Sequence, residues 1–397
     1  MLFYLKNLST EWGPLRMFGS HLFLLCIGAM LAAALILLLL PKLFHHMPRD
    51  RGKALVKDGQ KSLGKPTGSG LFIFGLLLPA LLLVQPFGGD ADGKFTLLAL
   101  PNKQWGVVLC LAAAMLTGWF DDRAQKPWGR LKKGALDTAV SVAAALALCR
   151  FGDMEIWLPF SAKTFMLSWP AYTLTSAPVL WLMMNATNCS DGVDGLAGSL
   201  TLLSLFTLAF FLYVVVGHEA ISRYLLVPHN PEGARWAILA VTTGGALAGY
   251  LWHNAEPSAV LMGDAGSRFL GLLVGVLALS CGNPFLIFVS APIVLLNGGT
   301  GLLKILLLKL LKGCGVDITN PKNAPPSASA GASADGAAAP EQARPCWAVR
   351  ALHKFRFPLH DHCKRELKWS NAQVLMRFIL IQALIMPLLL VLLLKIR

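Results

Sequence analysis

Residues 118–123 read GWFDDR, and the adjacent aspartates Asp121 and Asp122 close a long apolar run. Like charges side by side repel, which suits a division of labour between a proton acceptor and a metal partner. The plain alternative is a solvated helix end. A second stretch, NATNCSDGVDGLAG (185–198), spaces Asn185, Asn188, Asp191 and Asp194 three residues apart. With Gly192 and Gly195 among them, these groups either converge on a polar ligand or metal, or serve as helix caps and Asx-turns. A third stretch, HNAEPSAVLMGDAGSR (253–268), brackets Asp264 with Gly263 and Gly266. Glycine there permits a tight turn and close backbone approach to a phosphate. A fourth, FPLHDHCKRELKW (357–369), sets His360 and His362 beside Lys364 and Arg365, a grouping able to bind phosphate. Lys132 and Lys133 follow the aspartate pair; alone they would be ordinary loop charge. These groups are hard oxygen donors and cations. They favour Mg²⁺, which binds through one or two carboxylates plus substrate phosphates. There is no nucleophile elbow, Walker A motif or G-x-G-x-x-G, and the set suits phosphoryl transfer.

The elements that must position these residues are apolar. Of 397 residues, 55% are hydrophobic and 14% charged, against about 25% charged in globular proteins. Runs such as 21–41 and 376–394 match the roughly 20 residues that span a bilayer core. The first run does not read as a signal peptide: it is too long, it starts about 20 residues in, and a basic segment follows it. Ten spans are expected: 21–41, 69–85, 105–120, 134–150, 168–186, 196–217, 235–252, 268–282, 284–311 and 374–394. The fold class is an all-α polytopic membrane protein, with 1–397 forming one membrane domain. The eight cysteines are scattered without a C-x-x-C, and Cys26, Cys110, Cys149 and Cys281, in or at the ends of apolar stretches, read as small buried hydrophobes.

The net charge of +14 would draw nucleic acid in a soluble protein, but here its placement matters more. Lys and Arg number seven in 42–68, five in 121–133 and nine in 312–373, against two in 86–104 and one each in 151–167 and 218–234. The positive-inside rule therefore puts 42–68, 121–133, 185–195, 253–267 and 312–373 in the cytoplasm and both termini outside. All four polar clusters fall on that face, which implies one active site at the inner membrane surface. Residues 324–345 are Ala, Ser, Pro and Gly of low complexity and are expected to be a disordered tether.

In this order and placement, GWFDDR, NATNCSDGVDGLAG, LWHNAEPSAVLMGDAGS, LHDH and VLMRF resemble the polyprenyl-phosphate N-acetylhexosamine-1-phosphate transferases, in their peptidoglycan branch. The resemblance covers nearly the whole chain. It implies transfer of phospho-MurNAc-pentapeptide from UDP-MurNAc-pentapeptide to undecaprenyl phosphate, giving lipid I and UMP, with Mg²⁺ as cofactor. Carried over by motif, Asp121 and Asp122 match the catalytic pair, and Asp264 the magnesium aspartate. Lys132 matches a further catalytic residue. Asn188, Asp191, Gly192, Asp194, Asn254, Leu261, His360 and His362 match substrate-binding positions. The resemblance also admits a homodimer in the bacterial inner membrane. Four features depart from the family pattern: Asp361 between the histidines, Leu261 where an aromatic often stands, KPTGSG at 65–70, and the short 122–132 stretch with the 324–345 insertion. The rivals are a sister transferase using a UDP-hexosamine without peptide, and a transporter, which would place carboxylates at mid-span.

Overall fold

The computed structural model describes every residue except 10–11, 53–61, 87–102, 127, 160, 162, 315, 317–348, 350–351, 353 and 396–397. The low-complexity stretch 324–345 lies outside the described residues. The chain folds into α1 (His21–Leu39), α2 (Gly70–Val84), α3 (Lys103–Arg123), α4 (Arg130–Cys149), β1 (Met154–Trp157), β2 (Thr164–Leu167), α5 (Trp169–Ser190), α6 (Leu196–Phe210), α7 (Glu219–Tyr224), α8 (Gly233–Asn254), α9 (Gly263–Ser280), α10 (Leu286–Ser290), α11 (Pro292–Val294), α12 (Thr300–Gly313), α13 (Leu359–Arg365) and α14 (Asn371–Lys395).

Among the described residues, six helices are long and apolar enough to cross a membrane: His21–His46, Lys103–Arg123, Leu196–Val215, Gly263–Ser280, Pro292–Gly313 and Asn371–Leu394. The other long helices, α4, α5 and α8, carry Lys133, Asn188 and Asn254. Site residues and small residues dilute their apolar character. Leucines on α1, α12 and α14, among them Leu38, Leu306, Leu384 and Leu388, stay exposed on the protein. In a membrane chain such faces meet lipid.

The molecule is organised around α9. Every residue from Ala265 to Leu279 is buried, as expected of a helix apolar on all sides. Helices α3, α5, α6 and α2 pack against it. Small residues allow the approach: a Cβ on Gly118 of α3 would overlap the Asp264 backbone, and one on Gly70 of α2 would overlap Gly266. The final helix begins with a capping box. Ser370 Oγ accepts the Gln373 N–H at 3.2 Å while Gln373 Oε1 accepts the Ser370 N–H at 3.0 Å.

The chain is not purely helical. Residues 154–157 and 164–167 form an antiparallel hairpin, with Met154 opposite Leu167 and Trp157 opposite Thr164. Trp157 anchors it: the indole Nε1 donates to the Cys281 carbonyl at 2.9 Å and the ring stacks on Phe211. The hairpin therefore sits at the C-terminal end of α9, about 27 Å along an 18-residue helix from its N-terminus. An apolar hollow of about 390 Å³, lined by Tyr172, Val179, Leu182, Leu279, Phe285 and Phe288, opens there too, away from the polar clusters.

Candidate active site

The N-terminus of α9 gathers the polar residues. Gly263, at φ +72°, turns the chain into the helix, and a Cβ there would overlap Asp122 Oδ2. Asp122, at the end of α3, accepts the Asp264 N–H at 3.1 Å and the Ala265 N–H at 3.0 Å. A carboxylate placed there satisfies amides that have no partner within the helix and meets the positive end of its dipole. The neighbouring Asp121 is buried and points elsewhere: Oδ1 accepts the Trp128 N–H at 2.8 Å, and Oδ2 pairs with the Lys133 ammonium.

Lys133 also lies 3.3 Å from Asp264 Oδ2, so it stands between two of the three aspartates. Its neighbour Lys132, expected in this role, instead lies 3.6 Å from the centre of the Trp128 ring. The two side chains differ by about 100° around α4, so only one can face α9. Asp264 is further held by Asn188, which donates to Oδ1 at 3.0 Å and to Ser267 Oγ at 2.9 Å. Arg268 donates to Asp264 Oδ2 at 3.1 Å and to Asp137 Oδ1 at 2.8 Å. Arg268 and Asp137 are both buried, and the sequence reading did not single them out. The available signal was that each lies four residues further into its helix than Lys133 or Asp264, where the sequence turns apolar, since charges at membrane depth occur paired.

The loops complete the site. Asp191 closes α5, its N–H on the Asn188 carbonyl at 3.2 Å. Asp194 Oδ2 accepts the Ser258 N–H at 3.4 Å and lies 3.9 Å from Lys65 Nζ, which donates to Ser258 Oγ at 2.9 Å. Lys65, from the KPTGSG segment, is a site candidate that sequence reasoning did not select. Leu261 joins this segment through its backbone, its N–H donating to the Pro66 carbonyl at 2.8 Å. Asn254 is buried and engaged by backbone at both ends: Oδ1 accepts the Gly195 N–H at 2.8 Å, and Nδ2 donates to the Val260 carbonyl at 2.7 Å. It ties the 191–195 loop to the 255–262 loop as a clamp between them.

His360 reaches the same loop. Its ring packs so closely on Gly192 that a Cβ there would overlap Nε2. His362 takes another direction, tilted against Phe355 with Nδ1 accepting the Arg356 N–H at 3.5 Å. These contacts lead His362 away from the Gly192 loop that His360 meets. Asp361, between them, pairs with Arg365 at 2.8 Å.

Among the described residues no group of three or more His, Cys, Asp or Glu forms a ready metal cage. Mg²⁺ needs none, because substrate phosphates and water fill most of its shell. The charges fit such an ion. Four carboxylates, Asp121, Asp122, Asp137 and Asp264, meet two cations, Lys133 and Arg268, in this network. Asp264, the most central of the carboxylates and bonded to both cations, would hold such an ion.

A helical membrane chain with carboxylates, a lysine and amide-rich loops at one end of its central helix has the construction of a membrane phosphosugar transferase. Residues 104–282 match the family model described as glycosyl transferase family 4. Over 389 residues, 97% of this chain and 93% of the relative, it is 38% identical to the phospho-N-acetylmuramoyl-pentapeptide-transferase of Treponema pallidum (strain Nichols). It is 29% identical over 336 residues, 78% of the chain and 87% of the relative, to the protein of that name from Methylacidiphilum infernorum (isolate V4). A third relative so named, from Bartonella quintana (strain Toulouse), is 27% identical over 328 residues, 79% of the chain and 87% of the relative. The chain belongs to the phospho-N-acetylmuramoyl-pentapeptide-transferase family.

Proposed function

We infer that this chain moves phospho-MurNAc-pentapeptide from UDP-MurNAc-pentapeptide to undecaprenyl phosphate, giving lipid I and UMP at the cytoplasmic face of a bacterial membrane. The observation that carries the reading is Lys133 set between Asp121 and Asp264 at the N-terminus of α9. A phosphate oxygen of the lipid attacks the sugar-linked phosphorus of the diphosphate. A new P–O–P bond forms, and the bond to UMP breaks with its electrons on UMP. Both reactants are anions, so the site must supply positive charge. Lys133 does so from the protein. Mg²⁺, held by Asp264, would when bound supply charge neutralisation on the diphosphate.

Of the aspartate pair, Asp122 has both oxygens on the amides of α9. Asp121, paired to a lysine that phosphate would attract, is the one we assign as proton acceptor from the lipid phosphate. Asn188 keeps Asp264 in place, and the loop of Asp191, Gly192 and Asp194 receives the nucleotide and sugar. Ten spans, with both termini outside, fit the alternation of basic loops, and a homodimer fits the family.

Purified protein with UDP-MurNAc-pentapeptide, polyprenyl phosphate and Mg²⁺ should release UMP and form a lipid-linked product. Release of UMP only from a UDP-hexosamine lacking the peptide would assign the chain to the sister reaction instead.

A further inference from the structure

Asn297 lies on the π-helical turn Leu295–Gly299, where Gly298 packs against the Ala186 carbonyl of α5. It is fully buried, in a run with no polar residue on its N-terminal side back to Ser290. Its Oδ1 accepts the His360 backbone N–H at 2.8 Å and lies 3.1 Å from His360 Nδ1. A backbone N–H can only donate, so the amide oxygen and not the nitrogen must face His360. To bond that same oxygen, Nδ1 must carry hydrogen.

The ring is only 7% exposed. Burial pushes its pKa down to about 4, with Asp361 and Lys364 acting in opposite directions as smaller influences. Asp361 is itself engaged by Arg365. At neutral pH the ring therefore has one hydrogen, and Asn297 has claimed it. Nε2 is left with a lone pair, pressed against Gly192 on the loop of Asp191 and Asp194. A neutral acceptor repels phosphate oxygen and attracts a donor.

We propose that Asn297 is a positioning residue that fixes His360 in its Nδ1-protonated tautomer, so that Nε2 accepts a hydrogen bond from a hydroxyl or amide N–H on the sugar–peptide half of the donor substrate. The proposal rests on the reading of the site given above, and it removes His360 from the phosphate-binding groups that the basic context of the motif implied. Recognition of phosphate falls to Lys133, while His360 reads the group that phosphate carries.

The test uses the full-length protein in detergent with ¹⁵N-labelled histidine, the His360→Gln variant identifying the resonances. The expected spectrum between pH 6 and 8 is a neutral ring with hydrogen on Nδ1. Hydrogen on Nε2, or a charged ring, overturns the proposal. This readout needs no turnover, so it stands even if UMP release is never seen. The second arm is Asn297→Asp, which keeps the acceptor oxygen but sets a carboxylate against Nδ1 and favours the imidazolium. Its kcat/KM for UMP release should fall about tenfold more than wild type from pH 8 to pH 6, as Nε2 becomes a donor. A purely structural Asn297 predicts parallel pH profiles, and parallel profiles overturn the proposal. Asn297→Leu, lacking the acceptor oxygen, should show mixed tautomers; an unchanged spectrum in that variant would overturn it as well.

Discussion

Asp122 caps the helix that carries Asp264: one carboxylate oxygen takes the Asp264 N–H and the other the Ala265 N–H. The adjacent Asp121 makes neither bond and pairs with Lys133. Two neighbours in sequence thus have separate tasks. Asp122→Ala should cost about 1–2 kcal/mol from the lost cap and should loosen substrate binding by displacing Asp264. Asp121→Asn should leave the unfolding midpoint nearly unchanged and lower kcat by about 10² or more. Thermal unfolding in detergent and steady-state kinetics separate the two. If both variants keep kcat, the pair is only a helix end.

Arg268 bridges Asp137 and Asp264, and two of these three charges are deeply buried. Arg268→Met would leave Asp137 as an unpaired buried carboxylate, at a cost of roughly 3–5 kcal/mol. The double variant Arg268→Met with Asp137→Leu removes both charges and should regain much of the loss. Equal destabilisation by the single and double variants would show that the ion pair is not the source.

Much of this arrangement is legible in the sequence because membrane spans are long and apolar. The expected runs 21–41 and 168–186 lie within a few residues of α1 and α5. The site loops were legible because polar residues stand out between such runs. Helical phase was not legible. Which of Lys132 and Lys133 faces Asp264 depends on how α4 is rotated, and nothing in the 121–133 stretch fixes that angle. Partners far apart in the chain were equally hidden: Asp137 and Arg268 are 131 residues apart. Asn297 was lost inside an apolar run, where one amide reads as a tolerated exception. The hairpin escaped because each strand has only four residues and its register depends on Trp157 binding the end of α9.

Lys133 and Lys132 supply a test of phase. Lys133 bonds two site carboxylates, and its replacement by Ala should cut turnover by about 10²–10³ if it stabilises developing phosphate charge. Lys132 rests on an aromatic face worth about 0.5–1 kcal/mol. Lys132→Ala should therefore change kcat only a few-fold. UMP release by the two variants, with circular dichroism to confirm helix content, decides between them; the reverse ranking would mean that α4 is rotated in the working enzyme.

The cluster of carboxylates around Asp264 predicts dependence on a divalent ion. Chelator should abolish UMP release, and Mg²⁺ or Mn²⁺ should restore it. Asp264→Asn removes the charge but keeps an oxygen for Asn188, so the protein should insert in the membrane and lose several orders of magnitude in rate. Turnover that survives thorough chelation would remove the metal from the reaction.

His360 gives a prediction for stability against pH. Its pKa in the folded chain is pushed down to about 4 by burial, from the usual 6.5. Below 6.5 the unfolded chain takes up a proton that the folded chain refuses, so protons favour unfolding. The stability associated with a neutral His360 is fully present above pH 6.5 and is lost as pH falls towards 4. The gap between the two values corresponds to roughly 3 kcal/mol at its limit. His360→Gln cannot take up that proton. Its unfolding midpoint should start below that of wild type at pH 8, because the Asn297 bond is weakened, and then decline less between pH 6.5 and 4. Midpoints measured in one detergent across that range would show the two curves converging; curves that stay parallel would place the acid sensitivity in other groups.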